Sequence, residues 1–288
     1  MAALGVAIAV HLSLAVAQGV GALLTTSAGI TASALHVVVG TAAHGVALGG
    51  VMLATRPPDV RYPYGYDRYE AVASMLIGVL LLAAVGLILV AAIPRILQPE
   101  PITASGVGLA VMGVSAIANA ALAVFLRRQA SRYGSRVLRA ESVHAFADGA
   151  TALAVAAGVG LSAAGLLRVD PFIALAVAVI VAWRGVRIAW SAVEVLADAT
   201  PLDLDAIRRV AQSMDGVQGC HAVRSRGESG HALVDLHIHV RPEMTVEEAH
   251  DIALHVADAI GEQVADVAEV LVHVGPHVPA DQGARQDR

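Results

Sequence analysis

The stretch Glu141-Ser-Val-His-Ala-Phe-Ala-Asp148 puts an imidazole and a carboxylate four residues apart at the start of an apolar run. On a helix, that spacing stacks His144 and Asp148 one turn apart on one face. Ionisable groups within a membrane span are costly and usually face a bundle interior or a water-filled path. A second apolar run carries His36 and His44, eight residues apart and again roughly on one face. Two such helices facing each other would make a metal site inside a membrane.

The elements that must position these residues follow from composition. Of the 288 residues, 57% are hydrophobic, and mean hydropathy is +0.68, which soluble domains rarely reach. Aromatics are only 3%, so the apolar content is Ala, Val, Leu and Gly, which suits helices packed closely in lipid. Residues 1–198 therefore read as a six-span membrane part, with spans at roughly 4–24, 30–54, 71–94, 103–126, 142–166 and 170–190. The loop after the second span holds Arg56, Arg61 and Arg68, and the loop after the fourth holds Arg127, Arg128, Arg132, Arg136 and Arg139. The other connections carry little basic charge, so the positive-inside rule puts both termini in the cytoplasm. A multi-pass protein of a plasma (inner) membrane is expected, without a cleavable signal peptide. His11, alone in the first span, reads as a packed, hydrogen-bonded residue. Asp170 reads as an interfacial helix-start residue, and Trp183 and Trp190 with Arg184 and Arg187 as an interface anchor.

Residues 199–277 change to a soluble pattern. A helix is expected over Asp203–Met214, strands over Val217–Arg226 and His231–Arg241, a helix over Thr245–Gly261 and a strand over Val267–Val274. The order α-β-β-α-β describes an open-faced, ferredoxin-like sandwich with two helices behind the sheet. Residues 278–288 are polar and expected to be disordered. The net charge of −5 argues against nucleic acid as a partner. The single Cys220 rules out an internal disulfide framework and reads as a small buried hydrophobe.

Several motifs carry a resemblance. The run RPPDVRYPYGYDRYEAVASM is similar to the loop after the second span of cation diffusion facilitators, and SVHAFADGATAL resembles their fifth span. DGVQGCHAVRSR, VDLHIHV, TVEEAHDIALHV and VLVHVGPH resemble their metallochaperone-like cytoplasmic tail, and the likeness runs in order along nearly the whole chain. It implies a transport site of two second-span and two fifth-span ligands. His144 and Asp148 supply the fifth-span pair. In the second span the first ligand is His36, but Gly40 stands where the family has Asp. Four N/O ligands close a tetrahedron around Zn²⁺, so a water would complete the shell, or His44 would reach in across about 6 Å of helix. The loss of a carboxylate predicts weaker binding or altered selectivity. In the loop, Asp59 is followed by Tyr62 and Tyr66 where some members hold metal with His; phenols are poor zinc ligands at neutral pH, so no loop site is expected and Asp59 is given a structural role. In the tail, which holds eight of the twelve histidines, the resemblance implies a metal site of His221, His237, His250 and His273. Gly275 replaces an Asp there, with His239 as a substitute, while His231, His255 and His277 read as solvent residues.

The resemblance thus implies a homodimeric, proton-coupled exporter of divalent metal working by alternating access. Zn²⁺ is the first candidate, and Co, Ni, Cd, Fe or Mn are others. The alternative is a non-transporting metal sensor or a partner subunit of a heteromer, with Gly40 marking a lost site. An intramembrane metalloenzyme is disfavoured, since no His-Glu-x-x-His pattern lies in any span.

Overall fold

A computed structural model describes residues 2–133, 136–228 and 230–277, so the expected disordered tail at 278–288 lies outside the described residues. Six helices come first: α1 (Ala2–Leu24), α2 (Ala28–Ala54), α3 (Arg68–Leu97), α4 (Ser105–Tyr133), α5 (Arg136–Ala163) and α6 (Val169–Leu196). All six are long and apolar enough to cross a bilayer. The arginines assigned above to an open loop after the fourth span lie instead on helix, at the end of α4 and the start of α5. Arginine is a good helix former, and the helix continues past the end of its apolar run.

The bundle is an α-helical membrane domain closed around Ile30, Ile88, Met112, Val155 and Val181. Small residues set the close approaches. A Cβ on Gly78 of α3 would lie 2.8 Å from the Ala189 Cβ and 2.9 Å from the Gly185 carbonyl oxygen of α6. Without side chains at Gly78 and Gly185, the two backbones meet directly.

Three polar ties fix the helices at the end where α1 joins α2. The Ser33 hydroxyl of α2 donates to Gln18 Oε1 of α1 at 2.8 Å, both residues buried. Thr26 donates to the Pro101 carbonyl and accepts from the Thr103 N–H, joining the α1–α2 and α3–α4 connections. The third tie overturns the interfacial reading of Asp170. Its carboxylate is 1% exposed and sits on the N-terminus of α2. It accepts from the Ser27 hydroxyl at 2.5 Å, the Ala28 N–H at 2.8 Å and, at both oxygens, the Gly29 N–H at 3.3 Å. These are the orphan donors of a helix start, and a carboxylate there also meets the positive end of the helix dipole.

The second unit, from Val193 onward, contains α7 (Leu204–Gln212), β1 (Gly219–Glu228), β2 (His231–Val240), α8 (Val246–Gln263) and β3 (Val267–Pro276). The sheet order is β1-β2-β3, with β1 antiparallel and β3 parallel to β2. Asp203 caps α7, and Thr245 with Glu248 forms a capping box on α8. Val234, Leu236, Ile238 and Val240 face inward and pack with Ile207 of α7 and Val256 and Ile260 of α8. The alternation of β2 therefore leaves His237 and His239 on the open face.

Candidate metal centre

In the bundle, α5 carries Asp148 into the interior, where its side chain is 7% exposed. Its own helix brings His144 Nε2 to 3.5 Å from Oδ2, and α2 brings His36 Nε2 to 3.6 Å from Oδ1. A third imidazole, His11 Nε2 of α1, lies 3.8 Å from Oδ2. These separations exceed hydrogen-bond length. They approach the ~3.4 Å between neighbouring ligand atoms on a tetrahedral ion with bonds of about 2.0–2.1 Å. Asp148 Oδ1, His11 Nε2 and His36 Nδ1 are buried and have no hydrogen-bond partner among the described residues. Nor, among the described residues, do three donors already converge on one point as they would around a bound ion. The arrangement is a carboxylate approached by imidazoles from three helices.

In the sequence His11 stands alone in its span and reads as a packed residue, whereas the structure brings it to Asp148. Its signal was present in Gln18: two polar residues seven apart share a helix face, and that face turns to the bundle interior. His44, given beside a water as one way to complete the shell, is directed elsewhere. Its Nδ1 pairs with the Gly40 carbonyl at 2.7 Å, and its Nε2 lies 3.9 Å from Glu141 Oε1. Glu141, not singled out as a donor from the sequence, thus faces His44 two turns before Asp148. Side-chain exposure grades from 7% at Asp148 through 31% at His144 to 42% at His44.

In the α2–α3 connection, Asp59 organises the backbone. It accepts from the Arg61 and Tyr62 N–H groups, each at 2.8 Å, and from the Tyr66 hydroxyl at 2.6 Å. The Tyr66 hydrogen bond, followed by that from Tyr62, holds the Asp59 carboxyl below its ordinary range and pushes the Tyr66 phenol up.

On the open face of the C-terminal sheet the histidines form a strip. His221, His237 and His273 are cross-strand neighbours in one row, with ring centroids 5.1 Å and 4.6 Å apart. His239 lies 4.7 Å from His221 and 5.9 Å from His277, which stands exposed at the end of the strip as its reading as a solvent residue had it. Simple alternation along β1 would put His221 on the same face as the buried Val223. A bulge between His221 and Arg224, with Ala222 at φ 49°, inserts one residue and turns His221 to the open face. His250 is exposed on α8, which packs on the opposite face, so the strip of one protomer excludes it. Partial desolvation, then the neighbouring His273 and His221, lowers the His237 pKa. Cys220 points to the helix side, where burial pushes its thiol pKa up.

Apolar helices closed around buried donors, followed by a small sheet domain, define a membrane protein built to handle metal cations. Residues 4–197 match the cation efflux transmembrane domain, and residues 199–277 match the cytoplasmic domain of cation efflux proteins. The chain belongs to this family of divalent metal transporters, the cation diffusion facilitators. It is similar to metal tolerance protein 2 of Oryza sativa, 28% identical over 96% of this chain and 78% of that one. It is 30% identical to an uncharacterized transporter of Synechocystis over 88% of this chain and 83% of that one. It is 27% identical to the cation-efflux pump FieF of Pectobacterium atrosepticum, over 91% and 88% of the two chains. Among solved structures, the nickel form of a MamM CTD variant is 27% identical over 26% of this chain and 94% of that one, with a TM-score of 0.25.

Proposed function

We propose that this protein is a proton-coupled exporter of divalent metal, Zn²⁺ first, working as a homodimer by alternating access in a plasma (inner) membrane with both termini in the cytoplasm. The observation that carries this is Asp148. A carboxylate buried in a membrane bundle and flanked by His144 and His36 needs a compensating positive charge. A metal ion supplies it in one state, and protons on the imidazoles and carboxylate supply it in the other. Ligands bind metal only when deprotonated, so the two cargoes exclude each other and their exchange is coupled. Imidazole with one carboxylate suits Zn²⁺ and its late transition-metal neighbours better than the hard, oxygen-seeking Mn²⁺. The strip of His221, His237, His273 and His239 binds metal in the C-terminal domain and steadies the dimer.

The test is metal uptake into proteoliposomes under a proton gradient, with Zn²⁺, Co²⁺, Ni²⁺, Mn²⁺, Fe²⁺ and Cd²⁺ and with Asp148→Ala alongside. Uptake that the substitution abolishes is the expected result. Uptake that survives it removes Asp148 from the path. No uptake of any metal, with metal binding retained by the tail, favours a sensor or partner subunit with Gly40 marking a lost transport site.

A further inference from the structure

We infer that His11 of α1 is the fourth protein ligand of the transmembrane site and takes the place that Gly40 leaves empty; this rests on the transport-site reading above. Register makes the case first. The buried Gln18–Ser33 hydrogen bond fixes α1 against α2 at one level. The helices run in opposite directions, so seven residues back along α1 from Gln18 and seven forward along α2 from Ser33 reach the same depth, about 10 Å further on. Those residues are His11 and Gly40.

Space makes it second. A Cβ added at Gly40 would meet nothing within 4 Å, so no neighbour requires glycine there. The His11 ring occupies that level, 6.0 Å from His144 and 6.1 Å from His44 between ring centroids. Donor chemistry makes it third. His11 is 6% exposed and its Nε2 has no hydrogen-bond partner among the described residues. That nitrogen is aimed at Asp148 Oδ2, 3.8 Å away. An unpartnered buried imidazole nitrogen costs stability unless something occupies it. A shared ion would satisfy it together with Asp148 Oδ1. The resulting set is three imidazoles and one carboxylate drawn from three helices. It carries one negative charge, and it selects for imidazole-seeking ions against Mn²⁺.

The experiment uses the full-length protein with the tail strip silenced by His221→Ala, His237→Ala, His239→Ala, His273→Ala and His277→Ala, so that the remaining binding is transmembrane. Zn²⁺ affinity is read by competition with a chelating dye, and the number of bound imidazoles by X-ray absorption. His11→Ala should weaken Zn²⁺ by about tenfold or more, at least the loss seen when a ligand's supporting partner is removed, and should lower the imidazole count from three to two. His11→Asn controls for packing and should behave alike. Adding Gly40→Asp to His11→Ala should restore affinity while the imidazole count stays at two, which a misfolded variant could not do. If His11→Ala leaves affinity and count unchanged while Asp148→Ala abolishes binding, His11 is structural and the transport site stands without it. If neither substitution alters binding, the transmembrane site itself is wrong and this inference falls with it.

Discussion

Replacing Asp170 by Ala should destabilise the helical bundle by about 3 kcal/mol. The carboxylate receives two short hydrogen bonds, 2.5 Å from Ser27 Oγ and 2.8 Å from the Ala28 N–H, and a longer shared one from the Gly29 N–H. Hydrogen bonds to a charged group contribute about 1.5–3 kcal/mol each, so the two short ones amount to roughly 3–6 kcal/mol. Removing the carboxylate also relieves its own desolvation, which places the net loss near the lower bound. For a domain of this size, 3 kcal/mol corresponds to a fall of about 6–12 °C in the thermal midpoint, read from helical circular dichroism of the purified protein in detergent. Asp170→Asn keeps an acceptor without the charge and should fall by about half as much. Gly29→Ala supplies an independent route to the same contact, because its Cβ would lie 2.8 Å from Asp170 Oδ1 and push the carboxylate off the helix end. Midpoints within about 1 °C of the parent for both Asp170 variants would refute the capping role, leaving α2 to be started by Ser27 alone.

Other perturbations test the remaining parts. Gly78→Ala should separate α3 from α6 and destabilise by roughly 1–3 kcal/mol, as overpacking does, measured by the same melt; an unchanged midpoint means the helices are not in backbone contact. Asp59 and Tyr66 should titrate as a pair. The depressed Asp59 pKa contributes stability above its unfolded value of about 3.9, lost as pH falls through the lower folded value, and the raised Tyr66 pKa contributes stability that is lost as pH rises beyond about 10. Asp59→Asn should return Tyr66 ionisation toward the ordinary phenol value in a spectrophotometric titration. In an Asp148→Ala background, His237→Ala with His273→Ala should weaken Zn²⁺ and Ni²⁺ binding at least tenfold while leaving weak Mn²⁺ binding alone by calorimetry; an equal loss with His250→Ala would displace the site from the strip.

Much of this was legible because membrane helices announce themselves by length and apolarity, and because His144 and Asp148 lie on one helix, where spacing fixes geometry. What crossed between helices was not legible. His11 and Asp170 each look isolated in the sequence, since their partners are 137 residues away at Asp148 and about 140 away at Ser27 and Ala28. In the sheet, alternation read the face of His237 and His239 correctly but would turn His221 inward, because a one-residue bulge shifts the phase without any glycine to mark it. His250 could be assigned to the tail site only by resemblance, and the layer order of the domain puts it behind the sheet.

The polar ties also bear on access. Ser27 with Asp170, Thr26 with Thr103 and Ser33 with Gln18 all lie toward the α1–α2 connection, whereas exposure of the donors increases the other way, from Asp148 to His144 to His44. In the proposed exporter the site would open away from the tied end in this conformation, and alternating access would require the ties to break. Asp170→Ala should then shift the population toward opening at the tied end. Gly40→Cys, where the structure leaves room for a side chain, reports this in a Cys220→Ser background through an impermeant thiol reagent applied to right-side-out and inside-out vesicles. Faster labelling from the tied side after Asp170→Ala, with slower labelling from the other, is the expected result. Equal changes from both sides would mean that the substitution loosens the bundle without governing access, and the ties would then be anchors for α2 rather than a gate.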